Sequence, residues 1–482
     1  MLIDSIKGYT RKYFNYIKRL IIMDNKQRNR ILILLFVGVF MGALDIGIVG
    51  PVLPAVKSFF AVNDRIVSWI FTIYILFFMI GTPLMAKISD MYGRRNIYII
   101  DIFLFALGSL ITVFSSSFEI LLIGRAIQGF GAGGIFPVAS AFIGDTFPPE
   151  KRGSALGIIG SVFGLSAIFG PILGGLLLNY GWQWLFIINI PIAAGIIIAG
   201  YFILPKTKRK LISGFDWYGT LVLGIFVTSL AFGVNQIDSN NFIESLKLIY
   251  VWPFLLISVV LLPVLWKVEK EAEDPVVQIN LLKNREVRLA TGISIGSGLS
   301  QVAIVFLPSF AVISLSLSTA TASLMVIPLV ITMAISAPLI GKLLDKFGSK
   351  KVMFTGSFIL IAGLFILSFF ASSFYIFIIS GIILGLGLIT IIGAPLRHIM
   401  LSESPEKYRA SGQALININA SVGQLIGGAL VGGIIASKGG TYAGYEFAYI
   451  FVGIAAVAML FLTIGLKGRL EQIETINKNL KS

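Results

Sequence analysis

The chain has 482 residues, 56% of them hydrophobic and 13% charged, with a mean hydropathy of +0.92 and a formal net charge of +15. No soluble domain buries that much apolar surface, so the composition excludes the soluble classes and specifies an integral membrane protein. It has no cysteine and one histidine, which agrees with a fold built without disulfides.

The first element is a tail, residues 1–30, in which eight basic residues alternate with Leu2, Ile3, Ile6, Tyr9, Tyr13, Phe14, Ile17 and Leu20. That spacing predicts an amphipathic helix lying in the cytoplasmic headgroup layer. No small-residue cleavage site follows it, so a removed signal peptide is not expected, and Met23 offers an alternative start.

A helix needs roughly 20 apolar residues to cross about 30 Å of hydrocarbon, and fourteen such runs follow in order. They cover 31–54, 67–86, 97–115, 119–144, 154–179, 183–204, 217–236, 249–266, 289–315, 320–341, 352–371, 374–396, 410–436 and 446–466. Of the 38 Lys and Arg residues, only Lys57, Arg65, Lys247 and Lys438 fall on one side, while Arg125 is intramembrane. The positive-inside bias then places both termini in the cytoplasm. The surplus charge is topological and meets anionic lipid headgroups, so it does not call for nucleic acid.

An internal repeat organises these spans. Pro83-Leu84-Met85-Ala86-Lys87-Ile88-Ser89-Asp90-Met91-Tyr92-Gly93-Arg94-Arg95 follows the second span, and Pro338-Leu339-Ile340-Gly341-Lys342-Leu343-Leu344-Asp345-Lys346-Phe347-Gly348-Ser349-Lys350 follows the tenth. Both copies lie on one side, which makes the halves parallel repeats about an axis along the membrane normal. The seventh and eighth spans have no repeat partner. The expected organisation is a tail (1–30), an amino-terminal six-helix bundle (31–204), a linker carrying two inserted helices (205–288), a carboxy-terminal six-helix bundle (289–466) and a second tail (467–482).

The repeated loop resembles the cytoplasmic signature of the major facilitator superfamily, and the fourteen-span plan resembles its drug:proton antiporter branch. Leu44-Asp45-Ile46-Gly47-Ile48-Val49-Gly50-Pro51-Val52-Leu53-Pro54 resembles the first-span signature. Arg125-Ala126-Ile127-Gln128-Gly129-Phe130-Gly131-Ala132 resembles that of the fourth. Gly157, followed later by Gly170-Pro171-Ile172-Leu173-Gly174-Gly175, resembles the antiporter signature of the fifth. Ala86 and Ser166 stand where the family commonly has glycine, while Gly341 keeps it in the second copy. The resemblance implies two six-helix bundles that rock by alternating access, and a cytoplasmic gate of Asp90, Gly93, Arg94, Arg95, Asp145, Arg152, Asp345 and Gly348. It also implies that the fifth-span motif tracks with proton-driven export.

Two charges lie deep in the apolar spans, where each costs on the order of 3 kcal/mol and so marks function. Asp45 is roughly 12 Å from the outer end of the first span and Arg125 roughly 9 Å down the fourth, at 1.5 Å per residue. They share one level of one bundle. Asp45 can titrate and Arg125 cannot, the asymmetry a proton switch needs; Arg125 favours the ionised aspartate, burial the neutral one. A static buried ion pair is the alternative.

Gln128, Gln301, Asn417, Asn419 and Gln424 can hydrogen-bond cargo or simply join helices. Asp101, in the third span, has no assigned role, and His398 sits at a helix end beside Arg397. No nucleotide loop, metal cluster or catalytic triad is present, which points to an ion gradient as the energy source, with no cofactor and no enzymatic activity. The leading reading is a monomeric proton-coupled exporter of neutral or singly cationic amphiphiles in the plasma membrane, contacting lipids and small-molecule cargo. A lipid or metabolite exporter, an uptake symporter and a non-transporting sensor are the other readings.

Overall fold

The structure, a computed structural model, describes residues 25–147, 149–206, 216–272, 275–404, 409–472 and 474–475. Most of the tail expected over 1–30 falls outside them, as does the side chain of Arg152. Among the described residues every regular element is helical. The principal helices are α1 Asn25–Phe60, α2 Trp69–Tyr92, α3 Arg94–Val113, α4 Phe118–Thr146, α5 Pro149–Leu177, α6 Asn189–Ile203, α7 Trp217–Asn235, α8 Trp252–Glu271, α9 Arg285–Leu315, α10 Ile327–Phe370, α11 Phe374–Ile392, α12 Arg409–Ser437 and α13 Tyr442–Ile464. Short helices such as Thr319–Leu324 cover some of the connections.

Twelve of the described helical stretches are long and apolar enough to cross a membrane, against fourteen expected. The difference arises at two places. The tenth and eleventh expected spans both lie in Thr319–Phe370, 52 residues joined without a loop through the single non-helical residue Gly348. The fifth, α5, is a 29-residue helix several of whose side chains lie outside the described residues; among those described, its apolar stretch is Phe169–Tyr180. Large apolar side chains on the periphery, such as Phe202, Phe461 and Ile198, are exposed and suit contact with lipid tails.

The internal repeat returns as geometry. Gly93 joins α2 to α3 at φ 99°, and its partner Gly348 interrupts α10 at φ 78°. An L-residue pays for this left-handed backbone and glycine does not. Gly341 lies in the same α10 with open space around it. Gly348→Ala should therefore lower the unfolding temperature in detergent by the equivalent of about 1 kcal/mol, with Gly341→Ala within a few tenths, as thermal denaturation would report. Equal effects at the two positions would remove the backbone argument.

Within each half the helices approach through small residues. Gly108 and Gly124 bring α3 onto α4, while Gly81, Gly129 and Gly133 bring α2 onto it. A Cβ added at Gly170 of α5 would lie 2.8 Å from the Cα of Gly47 on α1. Close approach of this kind replaces the hydrophobic effect as the source of helix association in lipid.

The two halves are held together at the face opposite Gly93 and Gly348. There Gly50 of α1 abuts the Val305 carbonyl of α9, Gly174 of α5 lies near Ser323, and Gly428 of α12 packs on Phe71 of α2. The inserted helix α7 enters this seam while its partner α8 stays largely exposed. Buried Asn235, at the end of α7, donates to Ser68 Oγ (3.3 Å) and to the Ala429 carbonyl of α12 (3.1 Å), and accepts from Trp69 Nε1 (3.1 Å). Arg65 reaches the Ile237 carbonyl and Ser437 Oγ at 3.3 and 3.4 Å, which completes a polar tie among amino-terminal bundle, insertion and carboxy-terminal bundle.

Candidate functional site

Arg125 and Gln128 are three residues apart on α4 and so project from one face of that helix. Both point at Asp45 of α1. Arg125 Nη1 donates to Asp45 Oδ2 at 2.6 Å and to Gln128 Oε1 at 2.7 Å, and Gln128 Nε2 donates to Asp45 Oδ1 at 2.7 Å. All three side chains are fully buried. Both carboxylate oxygens of Asp45 thus have a donor, the condition under which a buried charge can be held.

Other helices complete the shell. Arg125 Nε donates to the Ile70 carbonyl of α2 (3.3 Å), and its guanidinium carbon lies 4.2 Å from the Tyr74 ring centre and 5.4 Å from that of Phe186. The rings face a cation that water does not reach, where cation–π attraction is strongest. Gln128 Nε2 also donates to Ser109 Oγ of α3 at 2.9 Å, and Ser109 accepts from Asn189 Nδ2 of α6 at 3.5 Å. Arg125 Nη2 and the Tyr74 hydroxyl are buried without hydrogen-bond partners. The site therefore holds one titratable carboxylate, one permanent cation and unspent donors.

The expected gate is only partly assembled from the expected residues. Arg94 is its centre: it pairs with Asp90 across the Gly93 turn, donates through Nε to Asp145 Oδ2 at 3.0 Å, and through Nη1 to Ser89 Oγ at 2.7 Å. Arg95 instead lies over the Tyr201 ring, 4.6 Å from its centre. In the second copy Ser349 occupies the place of Arg94, and its hydroxyl is 3.3 Å from His398 Nδ1. Asp345 is exposed there, and the break at Gly348 is covered by Arg469 and Gln472. The two halves share a backbone turn but not a charge cluster.

The residues read as a cargo path are scattered. Gln128 belongs to the ion-pair network rather than to an open path. Gln424 Nε2 donates to Gln301 Oε1 at 3.2 Å, joining α12 to α9. Asn419 is buried with Nδ2 unpartnered, whereas Asn417 is exposed. Of the fifth-span glycines, Gly170 meets α1 two residues beyond Asp45, Gly174 meets Pro51, and Gly175 meets Leu324 across the seam. Pro171 lies inside α5, and its carbonyl accepts from Ser323 Oγ at 3.5 Å. Gly157 lies in α5 with its surroundings outside the described residues. Sequence reading missed Tyr74, Ser109, Phe186 and Asn189, because an aromatic or hydroxyl at helical spacing looks like ordinary packing.

Comparison with known proteins gives a consistent result. The family profile described as Major Facilitator Superfamily matches residues 35–332 and 289–478. An uncharacterised MFS-type transporter of Bacillus subtilis, YfiU, is 32% identical over 86% of this chain and 80% of its own length. Multidrug resistance protein 3 of the same organism is 30% identical over 69% of this chain and 65% of its own length, and the riboflavin transporter RibZ of Clostridioides difficile is 28% identical over 82% and 85%. Among solved structures, a D-xylose-proton symporter superposes with a TM-score of 0.65 at 16% identity, covering 90% of this chain and 96% of that one.

Proposed function

The chain belongs to the major facilitator superfamily, and from that premise we propose that it is a proton-coupled antiporter exporting drugs or amphiphilic compounds by alternating access. It is a transporter and not an enzyme. The observation that carries the coupling is the buried Asp45–Arg125–Gln128 cluster: a carboxylate with both oxygens satisfied, one of them by a guanidinium. When Asp45 takes a proton from outside, the attraction that ties α1 to α4 weakens and cargo is released. When the proton leaves to the cytoplasm, the pair closes and the site is reset.

Two further features are part of this reading. The face carrying Gly93 and Gly348 is cytoplasmic, since it carries most Lys and Arg residues, and the sealed seam is external. The chain crosses the membrane fourteen times, because the 52 residues of Thr319–Phe370 are more than twice the ~20 that one crossing needs, with non-helical Gly348 between their two helical parts. The break at Gly348 then separates two crossings, and α5 supplies another.

Relatives named for multidrug resistance favour amphiphilic cargo, and RibZ keeps a metabolite as the second reading. The test is transport by purified protein in proteoliposomes under an imposed pH gradient, with cationic, neutral and lipid-like cargos. Cargo moving opposite to the proton flow is expected. Movement in the same direction would mean a symporter, and movement driven by sodium alone would remove the proton.

A further inference from the structure

Asp101 of the amino-terminal bundle is as fully buried as Asp45 and Arg125, and neither the gate nor the ion-pair network uses it. It lies on α3 with no exposed surface, and neither of its carboxylate oxygens has a hydrogen-bond partner. Its carboxyl group rests against Gly134 of α4, where the missing side chain makes the room: a methyl there would overlap both oxygens. Gly131, one turn earlier, lets the α4 backbone approach the Asp101 carbonyl. The cradle is thus built around a group that gains nothing from it as a charge.

The other ionisable groups of the bundle are distributed around it. Tyr98, on the same helix, uses its hydroxyl on the Leu35 carbonyl of α1 at 3.4 Å. Asp45 of α1, Tyr74 of α2 and Arg125 of α4 form the network nearer the external face. Arg94, Asp90 and Asp145 lie toward the cytoplasmic face, and α6 contributes Tyr201, which faces Arg95. Along α4, Gly134 is six residues from Gln128, or roughly 9 Å at the helical rise. Along α3, Asp101 is seven residues from Arg94, or roughly 10 Å on the same rise. Asp101 therefore stands between the ion pair and the cytoplasmic cluster.

An ionised carboxylate without a donor is far more costly in such a place than a neutral carboxylic acid. The two buried acids are in opposite circumstances: Asp45 has donors for a negative charge, and Asp101 has none. We propose that Asp101 is a second proton-binding carboxyl, the inner station between Asp45 and the cytoplasm, and that this conformation is the one in which the proton has reached it. This rests on the proton-coupled reading above. One proton leaves the Asp45 carboxyl, is carried by water admitted only while the helices change position, and binds a carboxylate oxygen of Asp101. It passes to cytoplasmic water when α3 and α4 part and solvent can hold the exposed charge.

The test uses the full chain in proteoliposomes, with Asp101→Asn, Asp101→Ser and Asp45→Asn measured side by side. Asp101→Asn is expected to lose at least about tenfold in pH-driven transport, and to lose it more steeply than cargo counterflow, which needs no net proton movement. Infrared difference spectra should lack one protonated-carboxyl band in the Asp101 variants. Wild-type protein needs no variant to fold: a carbodiimide, which reacts with protonated carboxyls in apolar surroundings, should label Asp101, found by mass spectrometry. Wild-type pH-driven rates in the Asp101 variants beside loss in Asp45→Asn would overturn the second station alone, as would an unlabelled Asp101. Wild-type rates in all variants would overturn the coupling reading itself.

Discussion

Asp45→Asn is expected to lose at least about a hundredfold in transport driven by a pH gradient, because it removes the titrating group while keeping its shape. Asparagine has one accepting oxygen where Asp45 has two. Arg125 Nη1 and Gln128 Nε2 both donate to Asp45, so one donor would face the new amide NH2. Arg125 keeps the Ile70 carbonyl, Gln128 Oε1 and the Tyr74 ring, which limits the loss of stability to about 3 kcal/mol. The protein should still be monodisperse in detergent, with a lowered melting temperature. Transport at the wild-type rate under the gradient would take Asp45 out of the coupling mechanism.

The second large effect is on Arg125. Arg125→Gln leaves the Asp45 charge buried with Gln128 as its remaining donor, which costs about 3–5 kcal/mol. The sign with pH follows from linkage. A protonated Asp45 needs no counter-charge, so the deficit is largest at the alkaline end of the pH range in which the protein is folded and shrinks toward the acid end. Differential scanning fluorimetry across that range reads it directly. The double variant Asp45→Asn/Arg125→Gln removes both charges and should recover most of the lost stability without recovering coupling. If the double variant recovers both, the pair serves register alone and the proton binds elsewhere.

Much of this arrangement was legible in the residues, because depth in a membrane is one-dimensional. Counting along two helices was enough to put Asp45 and Arg125 at one level, and the structure joins them at 2.6 Å. What counting cannot give is rotation about the helix axis. Gln128 was expected along the cargo path, yet its three-residue offset from Arg125 turns it onto Asp45. Arg95 was expected in the gate beside Arg94, yet adjacent residues point about 100° apart on a helix, so one meets Asp145 and the other Tyr201. Gln301 and Gln424 are joined by the register of two helices far apart in sequence, which no local pattern carries. The count of apolar stretches differs from the expected spans for a related reason. Gly348 turns the chain sharply at a single non-helical residue, with no loop between the two expected crossings to mark them as separate.

The bonds of Asn235 bear on the mechanics of the proposed cycle. A rocking transporter is usually pictured as two rigid bodies sharing one hinge. Here the end of α7 is tied on one side to Ser68 and Trp69 and on the other to Ala429, so opening this seam means letting go of one side first. The insertion then travels with whichever half keeps its grip, and the machine has three moving parts, with Asn235 as the clutch between them.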